Sequence, residues 1–344
     1  MPFRGNDVKG GVFVPAPDLT GRFRRDAEAL VGQPFDRETK LLVAVSGGPD
    51  SVALLLLAHA AYGDNVHAAT VDHGMRVANA GEARFVAELC AARRISHVTL
   101  TDPDCAFIRT GSPQAKARTL RYRLLAEHAA SVGCRWLATG HHRDDQAETL
   151  LMRLARGSGL PGLAAIRARR REGTIEVVRP LLGWTRATLR TVVDEAGVTP
   201  VDDPSNRSPD HDRTHFRALL TDTPLLDPQR LAASASHLAD CEDALAWATA
   251  HEWNVRHAIA DHGSRSIAVA DLPRELRRRL ALRAIDEVRR ENDLVADWRR
   301  DGIGRLLDLL DAGRTATLAH VKCSGGLVWR FEPAPPRRAP KPLF

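Results

Sequence analysis

Cysteine is sparse and scattered in this chain. Its five cysteines, Cys90, Cys105, Cys134, Cys241 and Cys323, form no C-x-x-C pair. That spacing argues against a disulfide framework, a zinc site or an iron–sulfur site, and it fits a reducing compartment. Lysine is nearly missing: of 49 basic residues, five are Lys (9, 40, 116, 322 and 341) and 44 are Arg. Arginine suits bidentate phosphate contacts, and the formal net charge of +6 fits a polyanionic partner. A genome rich in arginine codons produces the same excess, so charge alone is weak ground for nucleic acid. Long apolar runs are also lacking. None approaches the ~20 residues needed to cross a bilayer. Arg4, Asp7 and Lys9 stand where a secretory signal would be apolar. A cytoplasmic protein with no membrane partner is expected. No internal repeat is visible. With 344 residues, 44% of them hydrophobic, the chain has material for two domains.

What is present is concentrated in one turn, Ser46-Gly47-Gly48-Pro49-Asp50-Ser51. An apolar run, residues 41–45, precedes it, and a longer one, residues 52–58, follows. This reads as a buried strand, a tight glycine turn and a buried helix. Unpaired amides and the positive end of the helix dipole then converge on one point, where an anion, most often phosphate, is the natural occupant. Gly47 and Gly48 permit positive φ and a close approach of ligand to backbone. Ser46 and Ser51 offer hydroxyls. Asp50 is out of place beside a phosphate unless a metal ion intervenes. The turn has no lysine of the G-x-x-x-x-G-K-[ST] kind, so it is not an ordinary γ-phosphate grip. It resembles the pyrophosphate loop, S-G-G-x-D-S, of the N-type ATP pyrophosphatases, or PP-loop proteins. That resemblance implies that Ser46–Ser51 hold the β and γ phosphates of ATP while a substrate attacks the α phosphate.

Around the turn, strands are expected at 41–45, 66–71, 97–100 and 136–139, and helices at 19–31, 82–93, 114–131 and 145–156. Repeated βα units indicate an α/β fold with a parallel, doubly wound sheet, and ligands bind beyond the carboxyl ends of its strands. Arg167–Arg171 reads as an exposed basic loop before a strand at 175–178. Beyond residue 221 the pattern changes to helices at 231–251, 273–290 and 302–310, then a hairpin at 321–331 about Ser324-Gly325-Gly326. The expected division is a flexible N-terminus (1–18), a nucleotide-binding catalytic domain (19–222), a smaller, mostly helical C-terminal domain (223–332) and a tail with five prolines (333–344) that is expected to be disordered. Arginines at 277–279, 289–290, 299–300 and 305 make the C-terminal domain an expected nucleic-acid contact.

Further motifs narrow the chemistry. These are Asp72-His73-Gly74-Met75-Arg76; Ala117-Arg118-Thr119-Leu120-Arg121-Tyr122; Gly140-His141-His142-Arg143-Asp144-Asp145-Gln146-Ala147-Glu148; and Asp203-Pro204-Ser205-Asn206 with Arg213-Thr214-His215-Phe216-Arg217. Over roughly residues 40–220 their order resembles the tRNA(Ile)-lysidine synthetase family, in a short form. The resemblance implies ATP and Mg2+, free L-lysine, and a tRNA(Ile) with a CAU anticodon as partners, in a monomer or homodimer. It implies adenylation of the wobble cytidine at O2, then attack of the lysine amine at C2.

By the same resemblance, Asp50, Asp144 and Asp145 are candidate catalytic residues, with Asp50 and Asp144 as metal ligands. Asp72, His73, Gly140 and His141 join the turn in ATP binding. Arg118, Arg121, Arg213 and Arg217 bind substrate or tRNA. Each has a plainer alternative. Asp144 and Asp145 at a helix start suit capping, isolated histidines are often structural, and arginines three or four apart form solvated stripes. Other readings stay open: a tRNA thiolase, which commonly needs the paired cysteines this chain lacks, a small-molecule adenylating ligase, or a non-catalytic binder of tRNA or nucleotide.

Overall fold

The computed structural model describes residues 15–35, 39–72, 77–102, 113–202, 212–259, 263–294, 298 and 300–335. The expectations for residues 1–14, 73–76, 203–206 and 336–344, His73 among them, lie outside the described residues. The chain divides into two compact units, Met1–Ala239 and Asp240–Phe344.

In the first unit, helix α1 (Pro17–Val31) precedes strand β1 (Leu41–Ala44), helix α2 (Pro49–Tyr62), β2 (Val66–Asp72), α3 (Val77–Ala92), β3 (Ser96–Thr101), α4 (Pro113–Ser131) and β4 (Trp136–Ala138). There follow α5 (Arg143–Ala155), α6 (Leu160–Leu163), β5 (Arg169–Glu172), β6 (Ile175–Val178), α7 (Arg186–Glu195) and α8 (Asp212–Asp222). The six-stranded sheet has the order β3-β2-β1-β4-β6-β5. All pairings are parallel except that of β5 with β6. Strand order reverses between β1 and β4, so the loops leaving these two strands part to opposite sides and open a cleft.

Alternation along β1 sets the two layers. Leu41, Val43 and Val45 pack with Phe23 of α1, Leu54 of α2, Val86 of α3 and Val192 of α7. Leu42 points the other way, to Tyr122, Leu125 and Ala129 of α4. Helix α2 lies deep in the first layer: Leu54 to Leu57 are at most 3% exposed, each worth roughly 1.5–3 kcal/mol of burial. A helix so embedded is apolar all round, which is why its sequence reads as one continuous run.

Two differences from the sequence reading have simple causes. Arg169–Glu172 is not a loop but an edge strand, β5, antiparallel to β6. Its residues alternate between exposed and half-buried, but four charged side chains in a row hide the strand. Helix α7 is missing from the expected helices, although Thr185 caps it by accepting the Thr188 amide at 2.9 Å, and Leu189, Val192 and Val193 are buried at helical spacing.

Helix α9 (Pro228–Arg256) runs across the boundary of the two units. The second unit continues with β7 (His257–Ile259), β8 (Arg265–Ala268), α10 (Arg274–Glu291), α11 (Ile303–Asp311), β9 (Thr315–Leu318), β10 (Val321–Ser324) and β11 (Val328–Pro333). To the expected helices and the β10–β11 hairpin it adds three strands, in an antiparallel sheet of order β7-β8-β11-β10-β9. The added strands are three or four residues long, too short for alternation to reveal them. Leu280, Ile285, Leu307, Trp329 and Phe331 form the core.

Candidate active site

The turn after β1 and the turn after β4 meet in the cleft. Gly47 takes φ +84°, a value that favours glycine, while Gly48 is extended at φ −71° and ψ 161°. The Ser51 hydroxyl organises the turn: it accepts the Ser46 amide at 3.1 Å and donates to the Gly48 carbonyl at 2.9 Å. No side chain caps α2, so its first-turn amides remain for a ligand. Gly140 allows the second turn to close on the first. A Cβ there would sit 2.9 Å from the Asp50 carbonyl oxygen and 3.1 Å from the Ser51 nitrogen.

The cleft encloses about 510 Å³. Ser46, Gly48, Pro49, Asp50 and Ser51 form one wall. Gly140, His141, Asp145 and Arg213 stand across from them, and Arg118, Arg121 and Tyr122 of α4 stand over the sheet edge. Ala69, Val71 and Leu125 add an apolar stretch able to take a planar base. Asp72, Asp144 and Arg217 are not among the lining residues.

His142 ties the two turns together. Its ring is fully buried, with Nε2 3.4 Å from Asp50 and 3.6 Å from Asp145, and Nδ1 3.4 Å from Asp144. None of these contacts is a well-directed hydrogen bond; they are ion-pair distances. Burial alone would lower the His142 pKa, but Asp144, Asp50 and Asp145 together push it up to about 9. His142 is therefore an imidazolium at neutral pH, and it offsets the charge of three gathered carboxylates. Asp144 also accepts the Arg186 amide at 3.0 Å. Burial opposes its ionisation, yet His142 and that amide hold it well below the usual carboxylate range. Asp145 accepts the His142 amide at 3.0 Å and Arg213 at 2.8 Å. Both aspartates thus carry structural duties at the α5 start, and only Asp145 also faces the cleft.

His141 behaves oppositely to its neighbour. Burial first, then Arg179, Arg213, Arg118 and His142, pull its pKa down to about 3. It is a neutral imidazole on the cleft wall, with Nδ1 3.0 Å from the Thr139 hydroxyl.

Glu148 lies one turn beyond Asp145 and is 1% exposed. It accepts Arg213 at 2.7 Å, Arg217 at 2.9 Å and Arg186 at 3.0 Å. Burial opposes its ionisation, but these arginines lower its pKa to about 2. Arg213 and Arg217 therefore clamp α8 to α5, and Arg213 also steers Asp145. The sequence reading assigns no role to His142 or Glu148. An apolar helix face carrying one glutamate, Ala147-Glu148 beside Leu150, is the one local sign of a buried acid.

Among the described residues, no cluster of three or more His, Cys, Asp or Glu is arranged to hold a metal. Asp50 is a hard oxygen donor on the phosphate wall, which suits Mg2+ bound mainly through substrate phosphates and water. Asp144, committed to His142 and Arg186, suits it poorly. No described helix is long and apolar enough to cross a membrane.

The comparisons with known proteins agree with this geometry. The PP-loop domain family matches residues 19–223, which places the sheet and cleft in the class of ATP-using PP-loop folds. A tRNA(Ile)-lysidine synthase of Zymomonas mobilis subsp. mobilis is 45% identical over 92% of this chain and 94% of its own. One from Novosphingobium aromaticivorans is 42% identical over the same shares. The chain belongs to the tRNA(Ile)-lysidine synthase family. Among solved structures, the U34-tRNA thiolase NcsA from Methanococcus maripaludis aligns with a TM-score of 0.54 at 18% identity, over 64% of this chain and 79% of that one. That likeness concerns the fold alone.

Proposed function

We propose that the chain uses ATP to join lysine to C2 of the wobble cytidine, anticodon position 34, of the AUA-reading tRNA(Ile), giving lysidine, AMP and pyrophosphate. The observation that carries this reading is the cleft at the β1/β4 switch, where a phosphate turn faces an acidic helix start, in a chain of this family. Ser46 and the amides opening α2 bind the β and γ phosphates. O2 of cytidine attacks the α phosphorus, and pyrophosphate leaves. Adenylation turns a poor leaving oxygen into a good one. The lysine amine then bonds to C2, and AMP departs with O2.

Free lysine is an ammonium at neutral pH, so a proton must be removed before attack. Of the carboxylates that line the cleft, Asp50, Glu82 and Asp145, the reading gives this role to Asp145, at the start of α5. Mg2+, when bound with ATP, offsets phosphate charge, and Asp50 is the residue placed to hold it. Buried His142 keeps Asp50 and Asp145 at a fixed separation, so the phosphate wall and the amine site stay in register. The reading places the protein in the cytoplasm with tRNA and ATP, and a homodimer is compatible with it. Sulfur transfer is less well supported: among the described residues Cys90, Cys134 and Cys323 are buried, Cys241 is exposed, and none lines the cleft.

The test is incubation with a CAU-anticodon tRNA transcript, ATP, Mg2+ and labelled lysine, followed by nucleoside analysis. Lysidine that forms only with ATP, with release of AMP and pyrophosphate, is expected. Equal incorporation with ADP or without nucleotide would overturn the reading.

A further inference from the structure

Beside the cleft stands a group of arginines that the proposed chemistry does not use. Arg179 follows β6 at the carboxyl edge of the sheet and is 3% exposed. Its Nη1 donates to the Arg167 carbonyl at 2.5 Å, and its Nε is buried with no partner. Tyr122, itself 5% exposed, carries the Arg118 guanidinium 5.0 Å from its ring centre and that of Arg170 at 4.7 Å. Arg118 has no carboxylate partner among the described residues, nor does Arg179. Arg170 meets Glu172 at 2.7 Å, yet its Nε and Nη2 lack a directed hydrogen bond. Two cations thus lie on one aromatic ring, with Arg179 beside the hydroxyl of the same tyrosine and a single half-exposed carboxylate among the three. Their mutual repulsion is felt: burial first, offset by Tyr122, and then Arg170 and Arg118 lower the Arg179 pKa.

A buried guanidinium with an idle donor, beside like charges, costs stability unless an anion completes it. Arginine forks match phosphate geometry. Two of the residues, Arg118 and Tyr122, also line the cleft, so the group is an extension of the cleft wall along α4 toward β5. The Ser46–Ser51 wall, with its helix amides, is already built for the ATP phosphates. We propose that Arg118 and Arg170, on the Tyr122 ring, and Arg179 beside them form a second phosphate site that binds a backbone phosphate of the RNA strand whose base enters the cleft. This rests on the proposed function for the identity of the strand. The site itself rests on the unsatisfied cations. It would hold the strand beside the cleft while the base reaches the α phosphate of ATP.

Titration of the full chain with a CAU anticodon stem-loop RNA, across ~50–200 mM salt, tests this. Arg170→Gln and Arg179→Gln are each expected to bind the stem-loop about ten-fold more weakly and to flatten the log–log salt slope by about 0.7–1, with the Kd for ATP unchanged. Arg170 is only half-buried, so its variant keeps the test valid if Arg179→Gln fails to fold. Weaker ATP binding with an unchanged salt slope would assign the site to the nucleotide and overturn the proposal. A lower Tm with RNA and ATP binding both intact would make the group a strap for the β5–β6 hairpin and also overturn it. The readout is binding, so it separates from the proposed reaction: a flattened slope in a chain that makes no lysidine would keep the site and sink the reaction.

Discussion

In the C-terminal unit, Arg277, Arg278, Arg279 and Arg300, four of the arginines that look most like an RNA surface in the sequence, are already matched to acids. Arg277 meets Asp311 at 2.5 Å, Arg278 meets Glu275 at 2.6 Å, and Arg279 meets Glu242 at 2.6 Å. Arg300 reaches Asp286, and Arg289 is buried and donates to backbone carbonyls of Leu294 and Ala319. Around the cleft of the first unit, Arg118 and Arg179 meet no carboxylate among the described residues. The same residue type therefore does two jobs. Paired arginines brace α10 internally and tie it to α9 and α11, each exposed pair contributing about 0–1 kcal/mol. Unpaired ones keep their charge for a ligand. Counting arginines does not separate the two populations; counter-charge does.

The largest expected effect tests the cleft side of that contrast. Asp50→Ala and Ser46→Ala should each lower lysidine formation by about 10²–10³ with the fold intact, since each removes one positioned contact to the phosphates. Near-normal turnover with unchanged circular dichroism would make the turn structural.

Next come the two aspartates, which the structure separates. Asp145→Asn should spare pyrophosphate release but block lysine transfer, with partial rescue at alkaline pH as free lysine loses its proton. Asp144→Asn should chiefly lower Tm, because Asp144 serves His142 and the Arg186 amide. Single-turnover assays read both, and the reverse pattern would move the base to Asp144.

Glu148→Gln should cost about 3 kcal/mol, read by urea unfolding, because three arginines lose a buried partner. The acid limb carries a related signature. The folded pKa of Glu148 lies near 2, below that of a free glutamate, so its contribution is present above about pH 4.3 and is lost as pH falls through 2. His142 has the opposite sign. Its folded pKa is raised to about 9, so its contribution is complete below about pH 6.5 and disappears as pH rises through 9, by up to about 3 kcal/mol. Thermal melts from pH 7 to 10 should show this loss, and His142→Gln should abolish the alkaline step. A wild-type Tm that stays flat across that range would place no charge on His142.

The smallest effect belongs to the paired population. Arg274→Ala removes an exposed contact to Asp308 and should cost no more than about 1 kcal/mol, with stem-loop affinity changed less than two-fold. A large loss of RNA binding would show that the C-terminal arginines trade their acids for phosphates, and the contrast between the units would dissolve.

Much of the first unit is legible in the sequence because its signals are local. The apolar run, the glycine turn and the buried helix at residues 41–58 lie within one window, and period and turn chemistry are properties of neighbours. The same locality marks Asp50, His141, Asp144 and Asp145 as residues of strand ends and helix starts. The amino-acid sequence by itself thus determined the βα alternation, the phosphate turn and the edge of the sheet where chemistry would sit. Only the tertiary structure decided who partners whom. His142 gathers Asp50 from one turn and Asp144 and Asp145 from another. Glu148 collects Arg186, Arg213 and Arg217 from 38, 65 and 69 residues away. Arg179 is left without an acid while Arg279 finds one. These pairings depend on which helices pack across which strand ends. A buried charge answers to whatever lies within a few ångströms of it, and sequence spacing carries no record of that distance.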